Sequence, residues 1–583
     1  MKSIGDPAAG TSSGRAKLTL LFPDQDRIVY QPLRDETVHD LGLDTLCASV
    51  TREEKEQTIL LQVLRHLSPS PEAALFRRDV FEDLLAHPQI REKLMKLLEH
   101  VRFLNDYGAV RRQPENGASG LWDLLHRLDE LRDYTETVQA IGECLADQEL
   151  KSEGLRRLRE GIGRIWRDSG FEGLRQDIAA LKADTNSLKS ITVGINLNER
   201  LEAVSAGLIS VNSKPFTRSG LLRHFTESLS RSDSIRPDTE WKGDMNWHPA
   251  GSWVTNLTQG IDELTHTSLR MRNPLIAMTL ASVPDGSGTR DLPRTMDAAL
   301  GGLVSGLVRK LRETLNRHAA VSIGEIAGLI PELLFCIRWA EYTEKRMQEG
   351  WLFSPAEPRD AENGAPVMAA REFYNMKLIG AEPPGRVVRN SLIFDADHRV
   401  YLLTGANRGG KTTLTQAVGQ LFILAQAGLR VPAESFVFTP ADAVFTHFPA
   451  DEDKTLDLGR LGEECRRFRE QFLQSTPVSV LLLNETFSTT SFEEGYYIAR
   501  DAVRAMLKKG CRAIYNTHMH KLAANLEEIN RDAGEGRAFS LVVRSEGGSR
   551  SFRAEVAPPE GSSYARDIAE KYGVTYEKLT EGS

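Results

Sequence analysis

No uninterrupted apolar run in this sequence approaches the ~20 residues that a membrane-spanning helix needs. A bilayer-crossing helix is therefore not expected, and no membrane partner is implied. The first residues, Met1 to Gly14, are rich in Gly, Ser, Ala and Pro and have no basic end leading into an apolar stretch. They read as a floppy tail, not a secretory leader, and the expected location is the cytoplasm. Cysteine is scarce: Cys47, Cys144, Cys336, Cys465 and Cys511 stand singly, with no CxxC pair and no paired histidine spacing. Neither a disulfide framework nor a zinc site is encoded, and the thiols are expected to be reduced and mostly buried. An excess of basic charge is missing as well, the net charge being -8. That sign argues against global attraction to nucleic acid, although a local basic surface on an acidic chain still binds phosphates in a salt-sensitive way. Internal repeats are absent, as are low-complexity tracts beyond the tail.

What the chain does have is length and two kinds of periodicity. Its 583 residues, 40% apolar and 26% charged, suit two or three globular domains, because single cores stop growing near ~250 to 300 residues. From about Arg52 to Arg346 the pattern is helical. Ile90, Leu94, Leu97, Leu98, Val101 and Leu104 recur at three- and four-residue steps, as do Leu121, Leu124, Leu125, Leu128, Leu131 and Tyr134, and again Leu300, Leu303, Val304, Leu307, Leu311 and Leu315. Between the helices, Ile191 to Phe216 has β-branched residues at both ends and polar turn residues between, and reads as a short β-rich insertion. Val283 to Arg294 is rich in Gly and Pro and reads as an exposed loop. Arg218 to His248 mixes Arg, Lys and His with Trp241 and Trp247, which fits either a nucleic-acid contact or a solvated segment anchored by its tryptophans.

After Met376 short apolar strands alternate with helices. Val400 to Leu403, Val480 to Leu483 and Ala513 to Tyr515 each run into a polar or Gly-containing turn, as in a sheet whose loops carry the chemistry. Thr404 to Thr413, TGANRGGKTT, matches GxxxxGK[ST] between the first of these strands and a helix beginning near Thr413. Glycines there let successive N–H groups turn toward phosphates, Lys411 reaches the β and γ phosphates, and Thr412 ligates Mg2+ through its hydroxyl. About seventy residues on, the apolar strand ends in Asn484 and Glu485. Glu485 is the candidate base for the attacking water, with a mere turn cap as the alternative. The third strand ends at Thr517 and His518, a histidine placed to sense a γ phosphate or simply to sit satisfied in a loop. His520 reads as structural.

Taken together, these segments resemble the MutS family of DNA mismatch repair ATPases. TGANRGGKTT is similar to that family's TGxNxxGK[ST]T, Gly428 to Phe448 to its VPA segment, Asn484 to Gly495 to its DExGRGTS block, Asn516 to His518 to its ATH, and Gly561 to Val574 to its terminal GxSYGIxVA helix; Asp40 to Val50 is similar to the start of its helical core. The resemblance implies a multidomain protein: a disordered tail (1–16), an all-α core/lever domain (17–352) with a small β-rich, clamp-like insertion near 191–216, a linker (353–366), and an α/β P-loop ATPase domain of ABC type (367–583). It implies ATP and Mg2+ as cofactors, with Gly405, Asn407, Gly409, Gly410, Lys411, Thr412 and Thr413 on the nucleotide, Thr412, Asn484 and Glu485 around the metal, and Glu485 and His518 as catalytic groups. Val387 falls at the adenine-stacking position, although it is not aromatic. Leu458, Gly459, Arg460 and Gly462 match the signature that completes a partner subunit's site, or else form an ordinary Gly-containing helix start.

Three departures qualify the transfer. Asn484 stands where the family has aspartate, which removes a charge from the metal's outer shell and implies slower turnover. Phe487, Ser488 and Thr489 replace a Gly-Arg-Gly. The helical core starts just after the tail, leaving no room for mismatch-recognition and connector domains, and no Smr nuclease tail is expected past Val574. The resulting expectation is a homodimeric, ATP-gated clamp on branched or structured DNA, acting in repair or recombination without mismatch specificity; a ribosome- or RNA-associated remodelling ATPase is the alternative.

Overall fold

The computed structural model describes residues 18–23, 27–109, 121–185, 190–197, 199, 203–212, 243–245, 305–318, 324–361, 364–405, 409–449, 459–531, 533–534, 536–546, 549–559, 570 and 572–580. The protein mixes helix and sheet and divides into two compact units, one comprising 1–98, 143–161 and 325–583 and the other 99–142 and 162–324.

A short antiparallel pair, β1 (Gln31–Pro32) with β2 (His66–Leu67), brackets α1 (Asp35–Leu41), α2 (Leu43–Val50) and α3 (Glu54–Leu64). Long helices follow: α4 (Pro71–Ala86), α5 (Pro88–Ala109), α6 (Leu121–Leu145), α7 (Glu153–Arg167) and α8 (Ser169–Thr185). Helix α4 starts where its sequence says it should, with Pro71 in the first turn and the Ser70 hydroxyl accepting the Ala73 N–H at 3.2 Å. The leucine stripes lie in α5 and α6, where Ile90, Leu94, Leu98, Leu124, Leu128 and Leu131 are buried.

In the second unit, β3 (Ser190–Leu197) and β4 (Ala203–Asn212) form an antiparallel hairpin extended by β5 (Gly243–Met245). This hairpin occupies most of the stretch expected as a β-rich insertion. Phe171 of α8 packs edge-on against Tyr134 at 6.0 Å. The end of α9 (Ser305–Arg317) is tied to α8 by His318 and Arg317, 2.9 and 3.3 Å from Asp177. Leu300, Leu303, Val304, the loop 283–294 and nearly all of 218–248 lie outside the described residues, as does the tail 1–16.

The first unit resumes within α10 (Gly324–Gln348) and continues with β6 (Ala356–Pro358), β7 (Met368–Phe373), β8 (Asn390–Phe394), β9 (His398–Gly405), β10 (Ser435–Phe438), β11 (Val444–His447), β12 (Val480–Asn484), β13 (Arg512–Asn516), β14 (Arg537–Glu546) and β15 (Ser549–Val556). One sheet has the order β6-β10-β7-β8; the other runs β11-β12-β13-β9-β14-β15, parallel except for the last strand. The segment 353–366, expected as a linker, thus supplies β6. Pro358 is tolerated there because β6 is an edge strand, where a missing N–H costs little of the ladder.

The parallel sheet is covered on both faces, which is why its strands are continuously apolar. Val400, Leu402, Leu481, Leu483, Ala513 and Tyr515 share a core with Phe468, Val503 and Met506 from α12 (Gly459–Gln474) and α13 (Phe492–Lys509). The opposite face meets α11 (Lys411–Gln426). At Gly419 of α11 a Cβ would come within 2.8 Å of Leu482 and 2.6 Å of Leu41. Only hydrogen fits between sheet and α1. Helix α1 is further fixed by hydrogen bonds from Thr37 to Val444 O (3.1 Å), Gln416 to Asp40 O (2.7 Å) and Gln420 to Leu41 O (3.0 Å).

Arg77 anchors the far end of α11. Its fully buried guanidinium donates to Leu21 O (2.5 Å), His66 O (3.0 Å) and Gln426 O (2.9 Å), and lies over the rings of Phe22 and Tyr30. A cation is well placed against the last carbonyls of a helix. Arg77→Met, which keeps the length and strands three carbonyls, is expected to lower stability by about 3 kcal/mol. Denaturant unfolding of the full chain reads this directly; a loss under ~1 kcal/mol, the size of one ordinary hydrogen bond, would show that Arg77 is not an anchor.

Candidate nucleotide site

Three neighbouring parallel strands bring their C-terminal ends to one edge of the sheet: β9 at Gly405, β12 at Asn484 and β13 at Asn516. Ligands of open α/β sheets bind outside such ends. Gly405 has φ 140, and a Cβ there would lie 2.8 Å from Val543 O. No side chain fits that backbone. Asn407 lies outside the described residues, as do Ala406 and Arg408. Beyond Gly409, Gly410 caps α11 in the left-handed conformation without a side-chain hydrogen bond. The first N–H groups of a 16-residue helix, together with its positive end, therefore form a cradle suited to an anion.

Lys411 follows, not Thr413 as the sequence suggests, as the first helical residue. Its Nζ donates to Gly405 O at 3.0 Å, and burial holds the ammonium below its ordinary pKa against the opposing charge of Glu485. The Thr412 hydroxyl donates to Asn484 Oδ1 at 3.2 Å, and Asn516 Nδ2 donates to the same oxygen. Thr413 turns its carbonyl to Asn375 Nδ2 at 2.8 Å, so its backbone braces the helix start.

Glu485 and His518 meet across β12 and β13, with Glu485 Oε1 2.7 Å from His518 Nε2. That hydrogen bond, with the charges of His518 and Lys411, holds the carboxyl below its ordinary pKa despite partial burial. The Glu485 N–H donates to Asn516 O at 2.8 Å, and the residue has φ 53. Phe487 has φ 64. Two bulky residues in left-handed conformations, each costing ~1 to 3 kcal/mol, are what a functional turn stores. Phe487 adopts the backbone that glycine favours and compensates through burial, its ring 5.5 Å from Phe468.

Gly459, Arg460 and Gly462 open α12, with Gly459 at φ 67; Leu458 lies outside the described residues. Two residues on, burial raises the Glu464 carboxyl pKa, countered by hydrogen bonds from Thr489 and the Phe487 backbone. The helix start is thereby tied to the turn after Glu485. His447, buried with its pKa pushed down to about 3 mainly by desolvation, holds Thr486 Oγ1 at 3.0 Å as a neutral ring.

Val387 sits half-exposed in the coil before β8. An aromatic does lie beside the loop: Phe552 of β15 is 45% exposed, has φ 54, and comes within 3.2 Å of a Cβ built at Gly410. Sequence reasoning missed Phe552, because nothing in its local pattern links it to a loop 142 positions away. It also missed Asn516 and His447, although Asn at 516, beside the altered Asn484, was a readable signal.

Among the described residues no group of three or more His, Cys, Asp or Glu is arranged for a metal. Thr412 and Asn484 instead offer a few oxygen donors beside a phosphate cradle, which fits Mg2+, an ion usually held by few protein ligands plus phosphates and water. No described helix is long and apolar enough to cross a membrane.

The family model described as MutS domain V matches residues 401–578, and that of the MutS2 N-terminal domain matches 70–236. The chain is 30% identical over 192 residues to an endonuclease MutS2 of Thermus thermophilus, covering 33% of this chain and 25% of that protein. It is 28% identical over 188 residues to a DNA mismatch repair protein MutS of Thermotoga petrophila, covering 32% and 23%. A DNA mismatch repair protein MutS of Lactobacillus delbrueckii subsp. bulgaricus is 25% identical over 280 residues, covering 48% and 31%. The matches thus span about a quarter to a third of these relatives' lengths.

Proposed function

The chain belongs to the MutS family, and from that premise we propose that it is a Mg2+-dependent ATPase whose nucleotide cycle gates a dimeric clamp on branched or structured DNA. The observation that carries this reading is the convergence of Lys411, Thr412, Asn484, Glu485 and His518 on one edge of the parallel sheet.

ATP places its phosphates on the amides at the start of α11, with Lys411 between the β and γ groups. Thr412 and Asn484, with Glu485 nearby, would hold Mg2+, which would supply positive charge against the phosphates. Phe552, rather than Val387, offers the base a flat apolar surface. Glu485 takes a proton from the attacking water, and His518 exchanges its contact with Glu485 for one with the γ phosphate. Because Asn484 lacks the usual charge, turnover is slow.

Leu458, Gly459, Arg460 and Gly462 complete the partner's site in a homodimer. Closure there reaches Glu485 through Glu464 and the Phe487–Thr489 turn. The helices and hairpin of the second unit form the DNA clasp, and mismatch specificity is not part of the reading.

Phosphate release with linear duplex, four-way junction and single-stranded DNA tests the proposal, with ribosomes and structured RNA as parallel arms. Junction DNA is expected to stimulate turnover several-fold, in a manner lost at high salt, while ATP shifts the solution mass to twice that of the chain. Stimulation by ribosomes or RNA and not by DNA would replace the DNA reading with a remodelling ATPase.

A further inference from the structure

Asn484 poses a chemical problem that aspartate does not. A carboxylate presents acceptors on both oxygens, whereas a primary amide presents one acceptor and one donor. If the amide turned its NH2 to Thr412, the hydroxyl would spend a lone pair accepting that bond and aim its proton at the cation. The observed arrangement is the opposite: Thr412 Oγ1 donates to Asn484 Oδ1 at 3.2 Å and accepts a long bond from Asn516 Nδ2, leaving one lone pair for a metal.

The partner that fixes this orientation is Asn516. Asn484 and Asn516 are in register on the paired strands β12 and β13. Asn516 Nδ2 donates to Asn484 Oδ1 and, at 3.5 Å, to Thr412 Oγ1. Asn516 is fully buried, and among the described residues its own Oδ1 has no hydrogen-bond partner. Buried amides usually turn to satisfy both ends. Here the donor stays on Asn484 although the described residues offer the other end no partner, and flipping Asn516 would set two oxygens against each other.

We propose that Asn516 is a positioning residue that locks the Asn484 amide in its acceptor orientation, so that a neutral side chain serves the Mg2+ site where a carboxylate would need no such help. The proposal rests on the nucleotide reading above and extends it to a residue with no assigned role.

The test is equilibrium binding of a fluorescent ATP analogue to the full chain, titrated with MgCl2 and repeated in EDTA, for the parent, Asn516→Ala, Asn484→Asp and the double variant. Asn516→Val, which keeps more of the volume and suits a strand, serves as second variant in case the alanine form folds poorly. Asn516→Ala and Asn516→Val are expected to raise the half-saturating Mg2+ concentration ~10-fold, the usual scale for residues that orient metal ligands, with affinity in EDTA unchanged. In the Asn484→Asp background the same substitution is expected to shift it less than ~2-fold, because the oriented amide is gone. An equal shift in both backgrounds, or none with Asn484 present, overturns the proposal. A parent chain that binds no nucleotide at all overturns the nucleotide reading itself, a distinct result.

Discussion

Replacing Lys411 by alanine is expected to weaken binding of Mg2+-ATP about 1,000-fold and to remove measurable turnover. The ammonium is the only buried cation that the described loop turns toward its own mouth, where Nζ already touches Gly405 O. On a nucleotide it gains two charge-assisted hydrogen bonds, to the β and γ phosphates, each worth ~2 kcal/mol. Their joint loss of about 4 kcal/mol corresponds to roughly three decades in affinity. Burial lowers the ammonium's pKa, so a polyanion placed beside it in that water-poor site is bound more strongly than an exposed lysine would bind it. Titration with a fluorescent ATP analogue, alongside phosphate release and circular dichroism to show that the fold persists, measures the effect. A folded variant that keeps affinity within tenfold of the parent would place the phosphates elsewhere.

The second large effect is at Glu485. Glu485→Gln preserves the shape and a hydrogen-bonding partner for His518 but cannot accept a proton from water. Its kcat is expected to fall ~100- to 1,000-fold, the range for losing a general base, while ATP affinity changes by less than about threefold. That split in a single-turnover experiment separates a catalytic carboxylate from a turn cap. Unchanged turnover in Glu485→Gln, with a sharp rise in Asn484→Asp, would instead mark the nucleotide as a static switch. The pH dependence has a definite sign. The His518 hydrogen bond keeps the Glu485 carboxyl below its ordinary pKa, which favours the ionised base. The acid-side loss of turnover due to this group falls below the ordinary glutamate range, and whatever stability the pairing contributes is present above the unfolded pKa and lost as pH falls through the lowered folded one.

The strands of the site were legible because each is a short, doubly buried apolar run ending at a polar residue: Leu483 before Asn484, Tyr515 before Asn516, Leu403 before Thr404 and Gly405. A P-loop has few backbone solutions, so its residues announce their roles. Residues 353–366 were harder, since Pro355, Pro358 and Gly364 carry the composition of a linker while an edge strand tolerates the same composition. Phe552 was invisible because its importance lies in tertiary proximity to Gly410 and in a backbone angle, neither of which leaves a mark on neighbouring residues. Asn516 illustrates a third case. Its identity was on the page, but its meaning depends on which way a neighbouring amide points.

The docking of α1 on α11 bears on how the ATPase half can be handled in isolation. A fragment cut at the apparent boundary near residue 367 would uncover the groove at Gly419, strip Gln416 and Gln420 of their α1 partners, and leave the carbonyl of Gln426 without Arg77. Such a piece would aggregate or clamp nucleotide loosely, and its inactivity would say nothing about the intact protein. Residues 18–98 therefore belong with the nucleotide-site half, held to it by packing as well as by the chain.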